Sequence, residues 1–386
     1  MDKQKNSKFR TRQAPSPTGY LHLGTARQIL FTQLFAMINH GIWYLRIEDT
    51  DRQRLQRESV TNLLDTLDRL TLQPDEGVVE VAKTNGRPEF FEDDFYGVFQ
   101  KGQLGPYIQS ERLDLYHKYA QELINKKLAY WSYLTPIDKE DLQNLKKVTK
   151  KPIDYYLENI LRHPKFAKSK KNPETLKKEA ENEVEYLFAN VEKILTSKQK
   201  PALMYRLQRA ENFECFDELL GQTSFDLSLE EDFVILKSDG YPTYHLAHLV
   251  DDHLMQTSLV LRAQEWYPSI AKHQVMFSDF WGKDQIPKYL HLPLILGETG
   301  NKKLSKRDGN VNMAGYLDQG FLPESIVNYL AFLGWSPGTD KELYLSQEDV
   351  QKFPQPIRVT RIIENIAKDF SIQTISKSPA RFGSKN

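Results

Sequence analysis

The chain is poor in the residues that would mark a secretory, metal-rich or membrane setting. Its 386 residues include a single cysteine. That excludes an intramolecular disulfide framework and a multi-cysteine zinc site, and Cys215 reads as a small buried apolar side chain. No apolar run approaches the ~18 residues of a transmembrane helix. The first eight residues, MDKQKNSK, are too short and too polar for a signal peptide, so a soluble cytoplasmic protein is the expectation. Charge excess is missing as well. The 52 basic and 52 acidic residues cancel, so net charge names no nucleic-acid partner. Internal repeats and low-complexity tracts are absent. What the chain does have is size and apolar content: at 40% hydrophobic and 11% aromatic it can bury a sizeable core, and its length suggests roughly two or three domains.

Residues 9–13 (FRTRQ) read as a short buried strand, followed by a Pro15-Ser16-Pro17-Thr18-Gly19 turn that neither strand nor helix can continue through. From Gly24 to Asn39, Ala26, Ile29, Leu30, Leu34, Phe35 and Ile38 recur at helical spacing. Gly41 reads as the end of that helix and IWYLRIE at 42–48 as a second strand. Asp51 reads as the cap of a further helix carrying Leu55, Val60, Leu63, Leu64 and Leu67. Strand, helix and strand in this order begin a parallel, doubly wound sheet. Ligands gather at the carboxyl ends of such strands, where the PSPTG turn and Glu48 both fall. Further on, FDLS at 225–228 and DFVILKSDGYPTYHLA at 232–247 read as a β-hairpin turning at Asp239-Gly240. TSLVLR at 257–262 reads as another core strand, and 316–379 as helix-rich, with AFLGWSP at 331–337 closing a helix through glycine and proline. The stretch 146–178 holds eleven Lys/Arg against three Asp/Glu. It reads first as a solvated insertion surface. A basic patch facing nucleic-acid backbone is the other reading.

Two short signatures carry chemistry. His22-Leu23-Gly24-Thr25 sets a histidine at the mouth of a helix, with a glycine that lets a nucleotide lie against the backbone; imidazole and helix N-terminus then face phosphates. By itself it reads as a surface histidine before a helix. KLSKR at 303–307, between Gly300 and Gly309, reads as a mobile loop. Its Lys303, Lys306 and Arg307 suit a pyrophosphate leaving group whose developing charge needs cations, and such a loop closes only over bound nucleotide. By itself it is solvated surface. Together the two, about 280 residues apart, point to ATP-dependent activation of a carboxylate, because ATP must be held from both sides while its α-phosphorus is attacked. Asp251-Asp252-His253 invites a metal reading, but reads first as a polar turn between two core segments.

RQAPSPTGYLHLGTAR, YLRIEDTD at 44–51, GPYIQSERLDLY at 105–116, DFVILKSDGYPTYHLAHLVDDHLM at 232–255, LRAQEW at 261–266, KLSKR and NYLAFLGWSP occur in this order. Over residues 9–379 they resemble bacterial-type glutamyl-tRNA synthetases, class I aminoacyl-tRNA synthetases. PSPTG, rather than the PEPNG-like turn of glutaminyl enzymes, favours glutamate. The resemblance implies an α/β fold, a Rossmann-like doubly wound parallel sheet with an inserted acceptor-binding domain and a helical stem-contact domain. Residues 1–81 would be the first half of the catalytic domain, 82–200 the insertion, 201–315 the second half with KLSKR, and 316–386 the stem-contact domain. Glutamate–tRNA ligase activity is implied, in a monomer with no membrane contact that uses tRNA(Glu), L-glutamate and ATP. Mg²⁺ would arrive on the phosphate oxygens of ATP rather than in a protein cage.

The resemblance also implies residue roles. His22, Thr25, Lys303 and Lys306 fall at catalytic positions, and His22, Gly24, Lys306 and Arg307 at ATP contacts. Arg12, Ala14, Ser16, Glu48, Tyr244, His248 and Arg262 fall at the glutamate site, with Trp266 beside it. Arg12, Tyr244 and Arg262 would clamp carboxylates, and Glu48 would meet the α-amino group. Guanidinium forks pair bidentately with carboxylate, whereas an amide leaves them under-compensated, which rejects glutamine more strongly than size could. No nucleophilic side chain is required, since positioning and electrostatics do the work.

The chain departs from the family in places. Some members carry a zinc-binding Cys/His cluster where this chain has AYWSYLTP at 129–136, so neither zinc nor any other protein-bound metal is expected. His248 stands where asparagine is common, and Gln264 replaces an acidic residue. The sequence stops seven residues after Pro379, where family members continue into helical anticodon-reading domains. A fragment or a natural short form lacking most of that region is the expectation. Two other readings stay open. One is a short paralog that glutamylates a modified tRNA nucleoside, against which the GFLPESIVNYLAFLGWSP block argues. The other is a catalytically silent tRNA-binding module, against which the joint presence of Arg12, His22, Glu48, Arg262 and Lys306 argues.

Overall fold

Four consecutive buried residues, Arg10–Gln13, form strand β1, and the main sheet grows from it in both directions. The computed structural model describes residues 8–81, 83–84, 87–88, 96–132, 201–297, 304, 312–352 and 354–381. The basic stretch 146–178 and Lys303, Lys306 and Arg307 lie outside the described residues. After β1 come α1 (Leu23–Ile38), β2 (Ile42–Leu45), α2 (Arg57–Arg69), β3 (Glu76–Val81) and β4 (Val98–Lys101). Then follow α3 (Leu113–Asn125), β5 (Ala129–Ser132), β6 (Ala202–Tyr205), β7 (Asn212–Asp217), β8 (Gly221–Asp226) and β9 (Phe233–Leu236). The chain returns to the main sheet through α4 (Tyr244–Leu254), β10 (Leu259–Ala263), α5 (Ile270–Trp281) and β11 (Lys288–Leu292). It ends with β12 (Ile295–Leu296), α6 (Met313–Asp318), α7 (Pro323–Phe332), α8 (Gln347–Lys352), α9 (Gln355–Asp369) and β13 (Ala380–Arg381). Among the described residues no helix is long and apolar enough to cross a membrane.

The six-stranded sheet runs β11-β10-β1-β2-β3-β4. From β1 the chain winds one way through β2 and β3, all parallel. Much later it inserts β10 on the other flank of β1 and continues to β11, again parallel. The α/β doubly wound expectation holds, with β4 antiparallel at the edge making the sheet mixed. The strand order reverses at β1, which opens a crevice beyond the carboxyl ends of β1 and β10. A second, antiparallel sheet, β9-β6-β5, packs with α3, α4 and α5 around its own apolar cluster.

Helix α1 buries more than the stripe its spacing suggests: Leu23, Phe31, Ala36, Arg27 and Thr32 are buried along with Ala26, Ile29, Leu30, Leu34 and Phe35. A helix buried nearly all round is covered on two sides. Here β1 and β2 cover one side. On the other, Phe370 sets its ring 5.2 Å from both Phe31 and Phe35, with α7 and α9 in the same core. Arg27 donates across this seam to the carbonyls of Leu333 (3.0 Å) and Pro293 (2.6 Å). With no carboxylate beside it in those bonds, burial lowers its guanidinium to about 10.

Three local expectations change. The helix stops at Asn39, ahead of Gly41, and His40 makes the left-handed turn at φ 50°. Gly41 serves instead for close approach, since a Cβ there would meet the Phe9 carbonyl oxygen. Asp51 caps nothing: α2 begins after Gln56, and Asp51 pairs with Arg54 at 2.6 Å. The Gln56 amide is held instead by the Pro17 carbonyl (2.9 Å). The Asp239-Gly240 turn forms, with the Gly240 amide on the Lys237 carbonyl (2.9 Å), and the chain returns antiparallel with Leu236 opposite Pro242 and the Lys237 amide on the Tyr241 carbonyl (2.8 Å), but the returning arm then passes into a helix. β9 pairs with β6, Phe225 pairs with Phe213 in the β7–β8 hairpin, and the residues after Thr243 form α4. A short apolar run after a turn has no periodicity that separates strand from helix.

Gly77 lies in β3 at φ +96°, and a Cβ there would run into the Leu45 backbone. Gly77→Ala is expected to lower stability by about 2–4 kcal/mol, read as a lower urea midpoint at unchanged m-value.

Candidate active site

Backbone hydrogen bonds carry the two strand ends onward together. The Arg46 amide donates to the Gln13 carbonyl (3.0 Å) and the Glu48 amide to the Pro15 carbonyl (3.1 Å), so PSPTG and Glu48 stay side by side past the sheet. The Ile47 carbonyl accepts the Gln109 amide (3.0 Å), which brings the QSER block to the same place. A pocket of about 700 Å³ opens there, at the reversal of strand order. That volume suits a small-molecule site. Arg12, Ala14, Ser16, His22, Thr25, Glu48, Tyr244, Arg262 and Trp266 all line it. Gly24 and His248 do not line it. A Cβ at Gly24 would approach the His22 ring at 3.2 Å, so the glycine leaves room for the imidazole. His248 lies beneath the wall, fully buried.

The floor is an ion cluster hung from α4. Tyr244, His248, Asp251 and Asp252 fall four, seven and eight residues along the helix, which places them near one face. Asp252 receives Arg12 Nε (3.2 Å) and Nη2 (3.0 Å), Arg46 Nη1 (2.7 Å) and His248 Nδ1 (2.8 Å). Asp251 receives Arg112 Nε (2.7 Å), Gln109 Nε2 (2.9 Å) and Tyr116 Oη (2.9 Å). Burial alone would raise the Asp252 carboxyl, but Arg12 and Arg46 outweigh it and hold it well below the usual carboxylate range. Arg46 also donates to Glu48 Oε1 (2.9 Å). Burial nevertheless leaves the Glu48 carboxyl raised, so its charged form gains from a cation arriving in the pocket. The polar-turn reading of Asp251-Asp252-His253 is therefore corrected: the two acids are helical, buried and fully engaged. Arg46, Gln109 and Arg112 lay in blocks legible in the sequence but were not singled out. The signal for the acids was their helical spacing from Tyr244.

Arg262, at the end of β10, has a different environment. Its Nε donates to His291 Nε2 (2.7 Å), and its Nη1 to Tyr244 Oη (2.9 Å) and His273 Nδ1 (2.9 Å). All three acceptors are uncharged: burial keeps His273 well below the usual imidazole range and lowers His291. Among the described residues, buried Nη2 has no hydrogen-bond partner. A buried cation with open donors and only neutral acceptors attracts an anion. The Tyr244 ring also lies 4.7 Å from Trp266, forming an aromatic edge beside that cation.

His22 caps α1, with Nδ1 3.4 Å from the Thr25 amide and Nε2 3.1 Å from Thr25 Oγ1. The helix N-terminus thus faces the pocket, an arrangement suited to phosphate. Residues flanking KLSKR reach the same spot: Asn312 forms a bridge with His22, and the Met313 amide donates to the Leu21 carbonyl (3.0 Å). Gln264 is half-buried in the turn after β10. Among the described residues no group of three or more His, Cys, Asp or Glu could hold a metal.

The family described as tRNA synthetases class I (E and Q), catalytic domain, matches residues 8–370. The glutamate–tRNA ligase of Flavobacterium psychrophilum is 36% identical over 364 residues, covering 90% of this chain and 65% of that protein. That of Flavobacterium johnsoniae is 38% identical over 363 residues with the same coverage. The chain thus spans just under two thirds of the length of these curated relatives. A crystal structure of a glutamate tRNA ligase from Elizabethkingia meningosepticum, in complex with its amino acid, aligns with a TM-score of 0.71 at 30% identity, covering 98% of this chain and 67% of that one.

Two outcomes follow from the electrostatics. Asp252→Asn leaves Arg12 and Arg46 under-compensated and should lower stability by about 3–5 kcal/mol in denaturant titrations. Burial lowers His245 and His248 to about 3 and also lowers His273 and His291. Each therefore takes up a proton on unfolding, so the stability it contributes is complete above about pH 6.5 and is lost as pH falls toward 3. The raised carboxyls of Glu48 and Asp49 act in the opposite sense lower in that range. The unfolding free energy from urea titrations should fall between pH 6.5 and 5, by up to about 1.4 kcal/mol per pH unit for each histidine.

Proposed function

The chain belongs to the class I tRNA synthetases (E and Q), and from that premise we propose that it activates L-glutamate with ATP and esterifies it to the 3′ end of tRNA(Glu). The observation that carries the substrate is Arg262: a buried guanidinium in the pocket wall, held by neutral acceptors, with Nη2 unpartnered among the described residues. The side-chain carboxylate of glutamate supplies the missing counter-charge, and the amide of glutamine does not. Glu48, held by Arg46 and lining the same pocket, receives the α-ammonium. Arg12 commits Nε and Nη2 to Asp252, so its part is to set positive potential at the pocket rather than to offer a free fork.

In this reading the α-carboxylate attacks the α-phosphorus of ATP, giving glutamyl-adenylate and pyrophosphate, and the terminal ribose hydroxyl of the tRNA then attacks the mixed anhydride. His22, Thr25 and the α1 N-terminus hold phosphates from one side. Lys303, Lys306 and Arg307 answer the charge of the leaving pyrophosphate from the other. Mg²⁺ would enter on the phosphate oxygens, and none of the described residues is assigned to it. The segment 82–200 is proposed to receive the acceptor end and 316–386 the tRNA stem.

ATP–pyrophosphate exchange with and without tRNA, followed by mapping of the attached glutamate, tests the proposal. Exchange with glutamate plus charging at the 3′ end supports it. Glutamate found in the anticodon loop would transfer the chain to the nucleoside-modifying class, and RNA binding without exchange would leave a silent module. Lys306→Ala should slow adenylation by about 100-fold or more while changing glutamate KM little; an unchanged exchange rate would remove the loop from the mechanism.

A further inference from the structure

Asp217 lies outside the pocket lining, at the end of hairpin strand β7, and no motif points to it. We infer that Asp217 and His291 form a positioning relay that orients the Arg262 guanidinium and so sets the preference of the pocket for a carboxylate over an amide. The inference rests on the proposed reading of that pocket as the glutamate site.

Hydrogen-bond chemistry fixes the relay. An arginine side chain has donors only, so His291 Nε2, 2.7 Å from Arg262 Nε, carries no proton. The neutral ring then keeps its proton on Nδ1, 2.6 Å from Asp217 Oδ2. Asp217 is fully buried and held rigidly. Its Oδ1 takes the amides of Leu219 (3.0 Å) and Leu220 (2.8 Å), and its Oδ2 also takes the His291 amide (3.1 Å). On the far side of the guanidinium the same logic repeats. His273 Nδ1 accepts from Arg262, which leaves the His273 proton on Nε2, 2.9 Å from His245 Nδ1. Both imidazoles are thus held in an accepting tautomer, and among the described residues Nη2 is left without a hydrogen-bond partner.

The contrast with Arg12 shows what the imidazole achieves. Asp252 touches Arg12 directly and occupies two of its nitrogens. Asp217 sets its carboxylate one ring away from Arg262, so among the described residues no carboxylate bonds this guanidinium directly and Nη2 is left uncommitted. Positioning through a histidine held by a carboxylate is a general device for fixing tautomer and ring orientation.

Asp217→Asn is the test. Its amide can donate to His291 Nδ1, which moves the ring proton to Nε2, against Arg262 Nε–H. In ATP–pyrophosphate exchange with the whole 386-residue chain and tRNA supplied, glutamate KM should rise by about 10–100-fold. The glutamate-over-glutamine ratio of kcat/KM should fall by about 10-fold or more, with ATP KM within about 2-fold. In an Arg262→Lys background, which lacks the Nε–H, Asp217→Asn should change that ratio no further. Because Asp217 also closes the turn into β8, His291→Gln, which spares that turn, serves as a second variant and should give the same split between glutamate and ATP. An unchanged glutamate KM, or an equal loss in both backgrounds, overturns the relay and leaves a hairpin staple. Failure of the unaltered chain to use glutamate overturns the pocket reading, and the relay with it.

Discussion

Two guanidinium groups and an imidazole converge on the carboxylate of Asp252 beneath the ends of β1 and β2. Without that acid, Arg12 and Arg46 would be like charges in a low-dielectric interior, where repulsion is strong and water cannot screen it. With it, the three elements that build the pocket are drawn to one point: Arg12 comes from β1, Arg46 from the end of β2, and Asp252 from α4. Asp251, one residue earlier, ties in the QSER segment through Gln109 and Arg112. The backbone ladder brings the strands together, and the ion cluster sets how they end.

From that floor upward the pocket grades from compensated to uncompensated charge. Arg12 and Arg46 bond carboxylates directly, whereas Arg262 bonds neutral groups, and among the described residues its Nη2 has no hydrogen-bond partner. Such a gradient directs a ligand. In the proposed reading the anionic end of glutamate lies at Arg262 and the cationic end beside Glu48, whose burial raises its carboxyl even with Arg46 bonded to it. Preorganised dipoles of this kind need no rearrangement when the ligand enters.

The helical C-terminal part is fastened to this site through α1. The helix presents its N-terminus to the pocket and its flanks to two partners, the sheet on one side and α7, α9 and Phe370 on the other. Arg27, bonded to the carbonyls of Pro293 and Leu333, stitches the seam at the point where the chain leaves β11. A force on the C-terminal helices therefore bears directly on the element that carries His22 and Thr25.

Local patterns were enough to reveal β1, α1, β2 and the apolar face of α2, because strand and helix periodicities are properties of a few neighbouring residues. The resemblance to glutamyl-tRNA synthetases, rather than periodicity, put Arg12, Glu48, Tyr244 and Arg262 on view as chemistry-bearing residues. Local patterns misassigned the cap at Asp51 and the residue that makes the turn after α1, and read the residues beyond Thr243 as strand where they are helix, because several local structures satisfy the same short pattern. Tertiary structure alone decided that β10 enters beside β1 rather than at an edge, and that Asp251 and Asp252 are a buried hub rather than a polar turn. It likewise decided that Asp217, His291 and His273 surround Arg262. These join residues from 11 to 248 positions apart. What pairs them is burial, which makes a lone charge intolerable and so selects the partner, and no local spacing records that selection.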